Sequence, residues 1–556
     1  MTVACRLLGA TLCVLSRNSF ATKISGPPTF GDVNLLIITD AHSWIAGHNH
    51  DDHNPMLNAG YGEIASAVAH VKDMAATDGK DVFFVNNGDH VEGSGLSDAS
   101  MYLPPYIHGF NLFPLIQLMP FDALTIGNHD VYDDSTVTFM QESGFVESWG
   151  GRYLTSNTRN ASTGKTIGSK YTVLSGPNSG VKIMLFGFLY HMTDSCDTVV
   201  VEDPAQVVKE AWFTAALDDA LKQDIDSLVI LSHMDLEDRN VGVIQAAIRG
   251  HSNAAAELPL VFVTGHTHYR GFNKIDSFGS SFEAGHYLDT LGWISFNLNP
   301  TSPAENGTAV ADDIYFDFSY VDANMEVLYD FTNTTADTFD TDSGLGIRTA
   351  IDGAVAELGL REVLGCPTQN YSYTAALGAQ DSLYDLYMDV IVPNAVFDIP
   401  TGTGLVPYQL TSTGTLRYDI YAPTFYYDDV FAIAPFSNVF LYFSRLSGSE
   451  LLEVSDAVGG GSERVQTVRN PLKWEQESTM PAFIGGPGPV NTSTTYDLFF
   501  SDYDESAIVG AIAAVRGVSK EDVTAALVPW RSDRESEDFV DTTLCWSKNV
   551  ADLWPC

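Results

Sequence analysis

Basic residues are scarce. The 556-residue chain carries 28 Lys and Arg against 71 Asp and Glu, a formal net charge of −43. Binding a phosphate backbone needs clustered Lys and Arg, so this deficit excludes nucleic acid as a partner. It reads as a solubility surface for acidic or salty surroundings. An anionic substrate can dock only where a local positive charge overrides that field, as a cluster of metal ions would. Long apolar runs are also missing. "MTVACRLLGATLCVLSRNSFA" has an early Arg, a short apolar stretch and a small residue at Ala21. It predicts a secretory leader over residues 1–21, too short to span a bilayer, and no longer apolar run follows. The final "WSKNVADLWPC" lacks the hydrophobic tail of a GPI signal. Internal repeats and low-complexity tracts are absent.

Cysteine is sparse as well, six in all. Cys5 and Cys13 fall in the leader, which leaves Cys196, Cys366, Cys545 and Cys556. Their scattered spacing does not suit a zinc site. In an exported chain they can form disulfides, with the pairing left open by sequence. Asn-x-Ser/Thr glycosylation sequons stand at Asn160, Asn306, Asn333, Asn370 and Asn491. With the leader they point to a secreted, extracellular or vacuolar-type destination.

What is present is apolar and periodic. Hydrophobic residues make up 45%, enough for large cores, and the length implies more than one domain. From Gly31 to Pro300, runs such as "VNLLIITD", "DVFFVNNGD", "DALTIGNHD", "VKIMLFGFL", "SLVILSHMD" and "LPLVFVTGHTH" read as buried strands. Helical stretches separate several of them. "EIASAVAHVKDMAA" sets Ile64, Val68, Val71 and Ala75 on one face. Strands alternating with helices predict βαβ units in an α/β fold whose sheets are covered by helices. "SSFEAGHY" and "GWISFNLNP" read as closing strands. Residues 301–365 turn polar and end in the amphipathic "GIRTAIDGAVAELGL", the expected inter-domain connection. Residues 366–556 begin a second, mixed α+β domain.

The strand ends share a habit. "IITDAH" closes with Asp40 and His42, "VNNGDH" with Asp89, "TIGNHD" with Asn128 and His129, "ILSHMD" with His233, and "VTGHTH" with His266 and His268. Ligands of open α/β sheets bind outside the carboxyl ends of strands. Five segments therefore deliver carboxylates, imidazoles and one amide to one edge, a donor set suited to divalent Zn, Mn or Fe. Nearby, "HNHDDH" (His48 to His53) reads as a solvated loop beside this edge.

The order Asp-x-His, Gly-Asp, Gly-Asn-His-Asp, His, Gly-His-x-His resembles the calcineurin-like metallophosphoesterases, over residues 31–300. The resemblance implies a four-layer sandwich, two sheets flanked by helices, around a two-metal centre. Asp40, His42, Asp89 and His268 would hold one ion. Asp89 would bridge to a second, completed by Asn128, His233 and His266. Such a pair clamps the oxygens of a phosphoryl transfer and lowers the pKa of a water between them. By the same resemblance His129 faces the phosphate as a catalytic group. Its family partner is an Asp three residues on; here that position is Tyr132, and Asp133 follows as the candidate.

The C-terminal half is similar to the 5′-nucleotidase branch of that family. "STGTLRYDI" resembles its Gly-rich loop ending in Arg, and "APFSN" resembles its Pro-Phe-Gly-Asn. Arg417, Phe436 and Asn438 are thereby the expected substrate residues, the Arg touching the substrate and the Phe stacking on its base. The branch's Glu-Ser-Asn-x-Gly-Asn and Gly-Gly-Asp-Gly-Phe are missing; "YDLFFSDYD" occupies the place of the latter. The expected activity is hydrolysis of phosphomonoesters, 5′-nucleotides foremost. Alternatives are a phosphodiesterase or nucleotide-sugar pyrophosphatase on the same centre, or a non-catalytic metal-binding relic. The partner is a small phosphorylated substrate. Oligomeric state is left open.

Overall fold

Strand periodicity builds the N-terminal half. A computed structural model of the chain describes residues 26–48, 57–299, 313–395, 406–436, 439–459, 465–469, 477–529 and 551–556. The expected leader, most of the loop after His48, Asn306, Asn438 and Cys545 lie outside the described residues. Strands β1 (Val33–Ile38), β2 (Phe83–Asn86), β3 (Ala123–Thr125) and β4 (Tyr153–Leu154) run parallel. Next come β5 (Tyr171–Ser175), β6 (Lys182–Leu189), β7 (Ser227–His233), β8 (Leu260–Thr264), β9 (Arg270–Asp276) and β10 (Gly279–Ala284). The series closes with β11 (Thr290–Phe296) and β12 (Phe316–Asp322). They form two six-stranded sheets, in the orders β12-β11-β1-β2-β3-β4 and β9-β10-β8-β7-β6-β5.

Alternate residues of each strand go to different layers, as the two-residue period of a strand requires. Val33, Leu35, Ile37, Phe83 and Val85 meet Ile183, Leu185, Val229, Leu231, Val261 and Val263 between the sheets. Leu36, Ile38 and Phe84 face outward into a core shared with helices α1 (Tyr61–Thr77) and α2 (Asp134–Glu142). On the opposite side Phe186, Phe188, Leu228 and Ile230 pack under α3 (Ala211–Lys222) and α4 (Arg239–Arg249). The result is helices, sheet, sheet, helices: the expected four-layer α/β sandwich.

The first unit does not end at residue 300. β12 pairs with β11 from Thr290↔Asp322 to Phe296↔Phe316. Helix α5 (Asp342–Glu357) buries Ile347, Ile351 and Val355 in the α1 core. The two helices approach closely: a Cβ on Gly344 would lie 2.5 Å from the Gly62 carbonyl oxygen. The expected linker thus contributes an edge strand and a covering helix. Edge position explains the misreading, because "FDFSYVD" alternates apolar with polar residues and only half of it is buried.

The C-terminal half adds a five-stranded sheet of β13 (Pro407–Ser412), β14 (Phe440–Ser447), β15 (Phe483–Gly486), β16 (Thr495–Ser501) and β17 (Val528–Pro529). Their order is β15-β13-β16-β14-β17. Helix α6 (Tyr427–Ile433) faces the first unit, while α7 (Gly448–Val458) and α8 (Glu505–Arg516) cover one face of the sheet. A disulfide joins Cys366 to Cys556, and Trp554 packs near Tyr371 and Phe425. Cys196 is a free thiol. The halves share one apolar cluster: Tyr418, Phe431 and Ala432 join Trp44, Leu96 and Leu360. Gly95 N donates to Asp428 Oδ1 at 2.6 Å across this seam. No described helix is long and apolar enough to cross a membrane.

Candidate metal centre

The carboxyl ends of β1, β2, β3, β7 and β8 converge on one edge of the sandwich. Asn87 links the sheets there, its amide donating to Ser232 O at 3.3 Å. The chain turns sharply after each strand. Asp40, His42, Asp89, His266 and His268 all have positive φ, between 45° and 74°. Non-glycine residues are uncommon in that region, and a cluster of them marks a site where surrounding structure holds the backbone in place. The glycine before Asn128 has a steric cause: a Cβ on Gly127 would meet Asp89 Oδ1 at 2.0 Å.

Two groups of ligand-type atoms result. Asp40, His42, Asp89 and His268 form one, Asp89, His233 and His266 the other, each with its atoms within 4.8 Å of one another. Asp89 belongs to both. His42 Nε2 lies 3.5 Å from Asp89 Oδ2, and His233 Nε2 lies 3.0 Å from the same oxygen. Asn128 Oδ1 completes the second group, 3.1 Å from His233 Nε2 and 2.9 Å from His266 Nδ1. Outer contacts fix the rings. His42 Nδ1 donates to the carbonyls of Val91 and Glu92, and His233 Nδ1 to the Asn87 carbonyl at 2.8 Å, which turns both Nε2 atoms inward.

This donor set fits a pair of divalent ions. Among the described residues, Asp40 Oδ2 is buried without a hydrogen-bond partner, and Asp89 Oδ2 has only the His42 and His233 imidazoles beside it, a costly arrangement unless a cation completes it. Burial, with the charge of His129, holds His42 down at about 3. Burial and the charge of His233 hold His266 at about 3. Both rings are therefore neutral, the form that ligates metal.

His129 stands beside the centre, its ring 4.7 Å from that of His42. Its Nδ1 contacts the carboxylate of Glu92. Burial opposes a charge on His129, but Asp89 and Glu92 outweigh it and raise its pKa. The expected partner Asp133 does other work. It caps α2, accepting from the backbone N–H of Ser135 at 2.8 Å and of Thr136 at 3.0 Å. An Asp directly before a helix finds unpaired N–H groups within reach, and those hold it there. Tyr132 instead takes a hydrogen bond from Asn128 Nδ2 at 3.0 Å.

From the C-terminal half, Phe436 stacks on His129 with centroids 6.2 Å apart, and the Arg417 guanidinium lies 5.1 Å from the Phe436 centroid. Arg417 is close enough to depress His42, His266 and His268 electrostatically. Its Nε is buried with no hydrogen-bond partner among the described residues. Next to it, Tyr418 hydroxyl meets His48 Nδ1 at 2.7 Å, and both rings pack on Trp44. His48 is thus buried in the seam between the halves, not part of a solvated loop.

Residues 33–270 match the calcineurin-like phosphoesterase family, and residues 370–483 match the NAD nucleotidase C-terminal domain. The first half is a calcineurin-like phosphoesterase domain. Phosphoric ester hydrolysis is its chemistry. An uncharacterized protein of Schizosaccharomyces pombe is 29% identical over 473 residues, 81% of this chain and 75% of that one. A protein of Arthroderma benhamiae named as secreted is 28% identical over 476 residues, 79% of this chain and 69% of that one. Among solved structures, the 5′-nucleotidase from Candida albicans superposes with a TM-score of 0.79 at 22% identity, covering 95% of this chain and 99% of its own. A 5′-nucleotidase precursor from Thermus thermophilus gives 0.56 at 14% identity, covering 94% and 96%. At these identities the likeness is one of fold.

The phosphoesterase domain thus brings together every ligand candidate read from the strand ends, with His129, Arg417 and Phe436 alongside. Asp133 stands apart. Glu92, and the hold of Tyr132 on Asn128, escaped the sequence reading. The clue to Glu92 was its place three residues after Asp89 on one tight loop.

Proposed function

We propose that the chain is a secreted dinuclear-metal phosphatase acting on phosphomonoesters, with 5′-nucleotides as the preferred class. The observation that carries this reading is Asp89 shared by two ligand groups, with Arg417 and Phe436 of the other half beside them. Bound divalent ions would supply positive charge to the phosphate and acidify the attacking water. Arg417 offers to a phosphate oxygen an Nε–H that has no partner among the described residues. Phe436 offers a ring face to a base. His129, committed at Nδ1 to Glu92, presents Nε2 as the nitrogen that passes a proton to the leaving oxygen. Export agrees with the leader, the Cys366–Cys556 disulfide and the exposed sequons at Asn333, Asn370 and Asn491.

A second reading, cleavage of the pyrophosphate bond of a dinucleotide, is favoured by the match of residues 370–483 to the NAD nucleotidase C-terminal domain. Phosphate release from nucleoside 5′-phosphates, sugar phosphates, NAD and nucleotide sugars, with chelator and then with added Mn, Zn or Co, separates the two. Restored release from nucleotides supports the first reading. Cleavage confined to NAD or nucleotide sugars supports the second, and no metal-dependent turnover removes both.

A further inference from the structure

His48, the first residue of "HNHDDH", is only 1% exposed. Its ring lies on that of Trp44, with centroids 4.5 Å apart and planes 17° from parallel. The chain reaches this place through Gly47, at φ 76°, where a Cβ would lie 2.8 Å from the Ala59 carbonyl oxygen. Both ring nitrogens are engaged. Nε2 meets the carbonyl oxygen of Tyr287, and Nδ1 meets the Tyr418 hydroxyl at 2.7 Å. A carbonyl can only accept, so Nε2 donates to it. A neutral imidazole has one N–H, so Nδ1 then accepts from the Tyr418 hydroxyl.

These two partners come from opposite sides of the seam, and each stands beside the site. Tyr287 N donates to the carbonyl of Asp40 at 2.8 Å. Its ring faces those of His42 and His268, at 5.4 and 5.5 Å. Tyr418 directly follows Arg417, whose own N donates to Ile433 O at 2.8 Å inside the C-terminal half. Three hydrogen bonds therefore lead from the backbone of a ligand candidate to the neighbour of Arg417: Tyr287 to Asp40, His48 to Tyr287, Tyr418 to His48. Stacking on Trp44 lets rings slide, whereas hydrogen bonds are directional and resist it. In a buried chain of this kind each broken link also leaves a polar group unpaired.

We propose that His48 is the positioning residue for Arg417: by tying Tyr418 to Tyr287 it fixes where the guanidinium stands relative to the metal centre. The inference rests on the phosphomonoesterase reading above, in which Arg417 holds a phosphate oxygen. An arginine of one half can grip a phosphate held by the other only while the two halves keep register. Misplacement by about 1 Å is costly for such contacts. His48 touches no substrate in this scheme and acts only through Tyr418.

The test uses two variants of the full chain. His48→Phe keeps a ring on Trp44 and removes both bonds. Tyr418→Phe removes a single hydroxyl, and it decides alone if His48→Phe does not fold. Each is measured by itself and combined with Arg417→Ala, on a nucleoside 5′-phosphate and on p-nitrophenyl phosphate. Both variants should keep their metal content. Both should raise KM on either ester roughly tenfold, the scale of coupling within one hydrogen-bond network, with kcat changed much less. In the Arg417→Ala background neither should cause a further loss, because the side chain they position is gone. Losses that simply add to that of Arg417→Ala, loss of metal, or an unchanged KM in Tyr418→Phe would each overturn the proposal. Should wild type hydrolyse no phosphate ester, the functional reading fails. Crystal structures of wild type and Tyr418→Phe then decide the positioning: a displaced Arg417 guanidinium upholds it, and an unmoved one overturns it.

Discussion

Asp89 carries the greatest demand of any single side chain. One of its oxygens faces both His42 and His233, and the other accepts from His129 N at 2.9 Å. If it bridges two ions, Asp89→Asn removes most bound metal and nearly all phosphatase activity; full metal content in that variant, read by elemental analysis, would sink the dinuclear reading. Tyr132 acts one step further out. By holding the Asn128 amide nitrogen it points Oδ1, not NH2, toward His233 and His266. Tyr132→Phe should therefore weaken the second ion by about tenfold, the lower end of what outer partners of metal ligands contribute, measured by metal titration with the first ion in place. The ligand candidates were legible because each polar residue follows an apolar run, where only a ligand or a buried partner makes it tolerable. Glu92 was not, because a carboxylate in a glycine-flanked loop looks the same in sequence whether it faces solvent or an imidazole. Asp133 misled for a related reason: sequence adjacency to His129 is real, but the nearest unpaired N–H groups belong to the helix that starts behind it.

Elements decide where such residues end up. Asp504 sits between β16 and α8, 3% exposed, and accepts from Ser412 N and Ser501 Oγ, both at 3.2 Å. Burial outweighs these bonds and raises its pKa from 3.8 to about 6. The sign follows directly. The folded state favours the neutral acid, so below pH 3.8 Asp504 costs nothing, and stability is lost as pH rises through about 6. Asp504→Asn keeps an acceptor without the charge. It should raise stability by on the order of 1–3 kcal/mol above pH 7 and by little near pH 4, read from denaturant midpoints at both pH values. An unchanged difference between the two would refute the assignment. Sequence periodicity located the strands and α1 well, because their apolar faces are continuous. It missed β12, and although it found the helix α5 it did not place that helix in the first unit. The strand lies at a sheet edge with polar residues interleaved, and the helix carries only a narrow apolar stripe of Ile347, Ile351 and Val355.

On the scale of the whole molecule, the site lies between halves that touch. Phe436 rests against His129 while Arg417 reaches toward four of the centre's histidines. On the proposed nucleotidase reading, selectivity for a base would reside in the C-terminal half. Phe436→Ala should weaken a nucleotide by about 1–3 kcal/mol, the scale of one base stack, and barely affect p-nitrophenyl phosphate. Equal losses on both, in KM comparisons, would make Phe436 a packing residue instead. The two-unit organisation was visible in the sequence as two families of motif, but the seam was not, since its members come from Trp44, His48, Gly95, Leu360, Tyr418 and Asp428, far apart along the chain.

The apolar cluster that crosses this seam has a consequence for how the protein comes apart. Tyr418, Phe431 and Ala432 are buried against residues of the first half, and Asp428 reaches in to a backbone amide at Gly95. The C-terminal half cannot melt without uncovering part of the first half's core. Heating should therefore produce one calorimetric transition whose van't Hoff and calorimetric enthalpies agree. Two resolved peaks would mean the shared cluster contributes little cohesion.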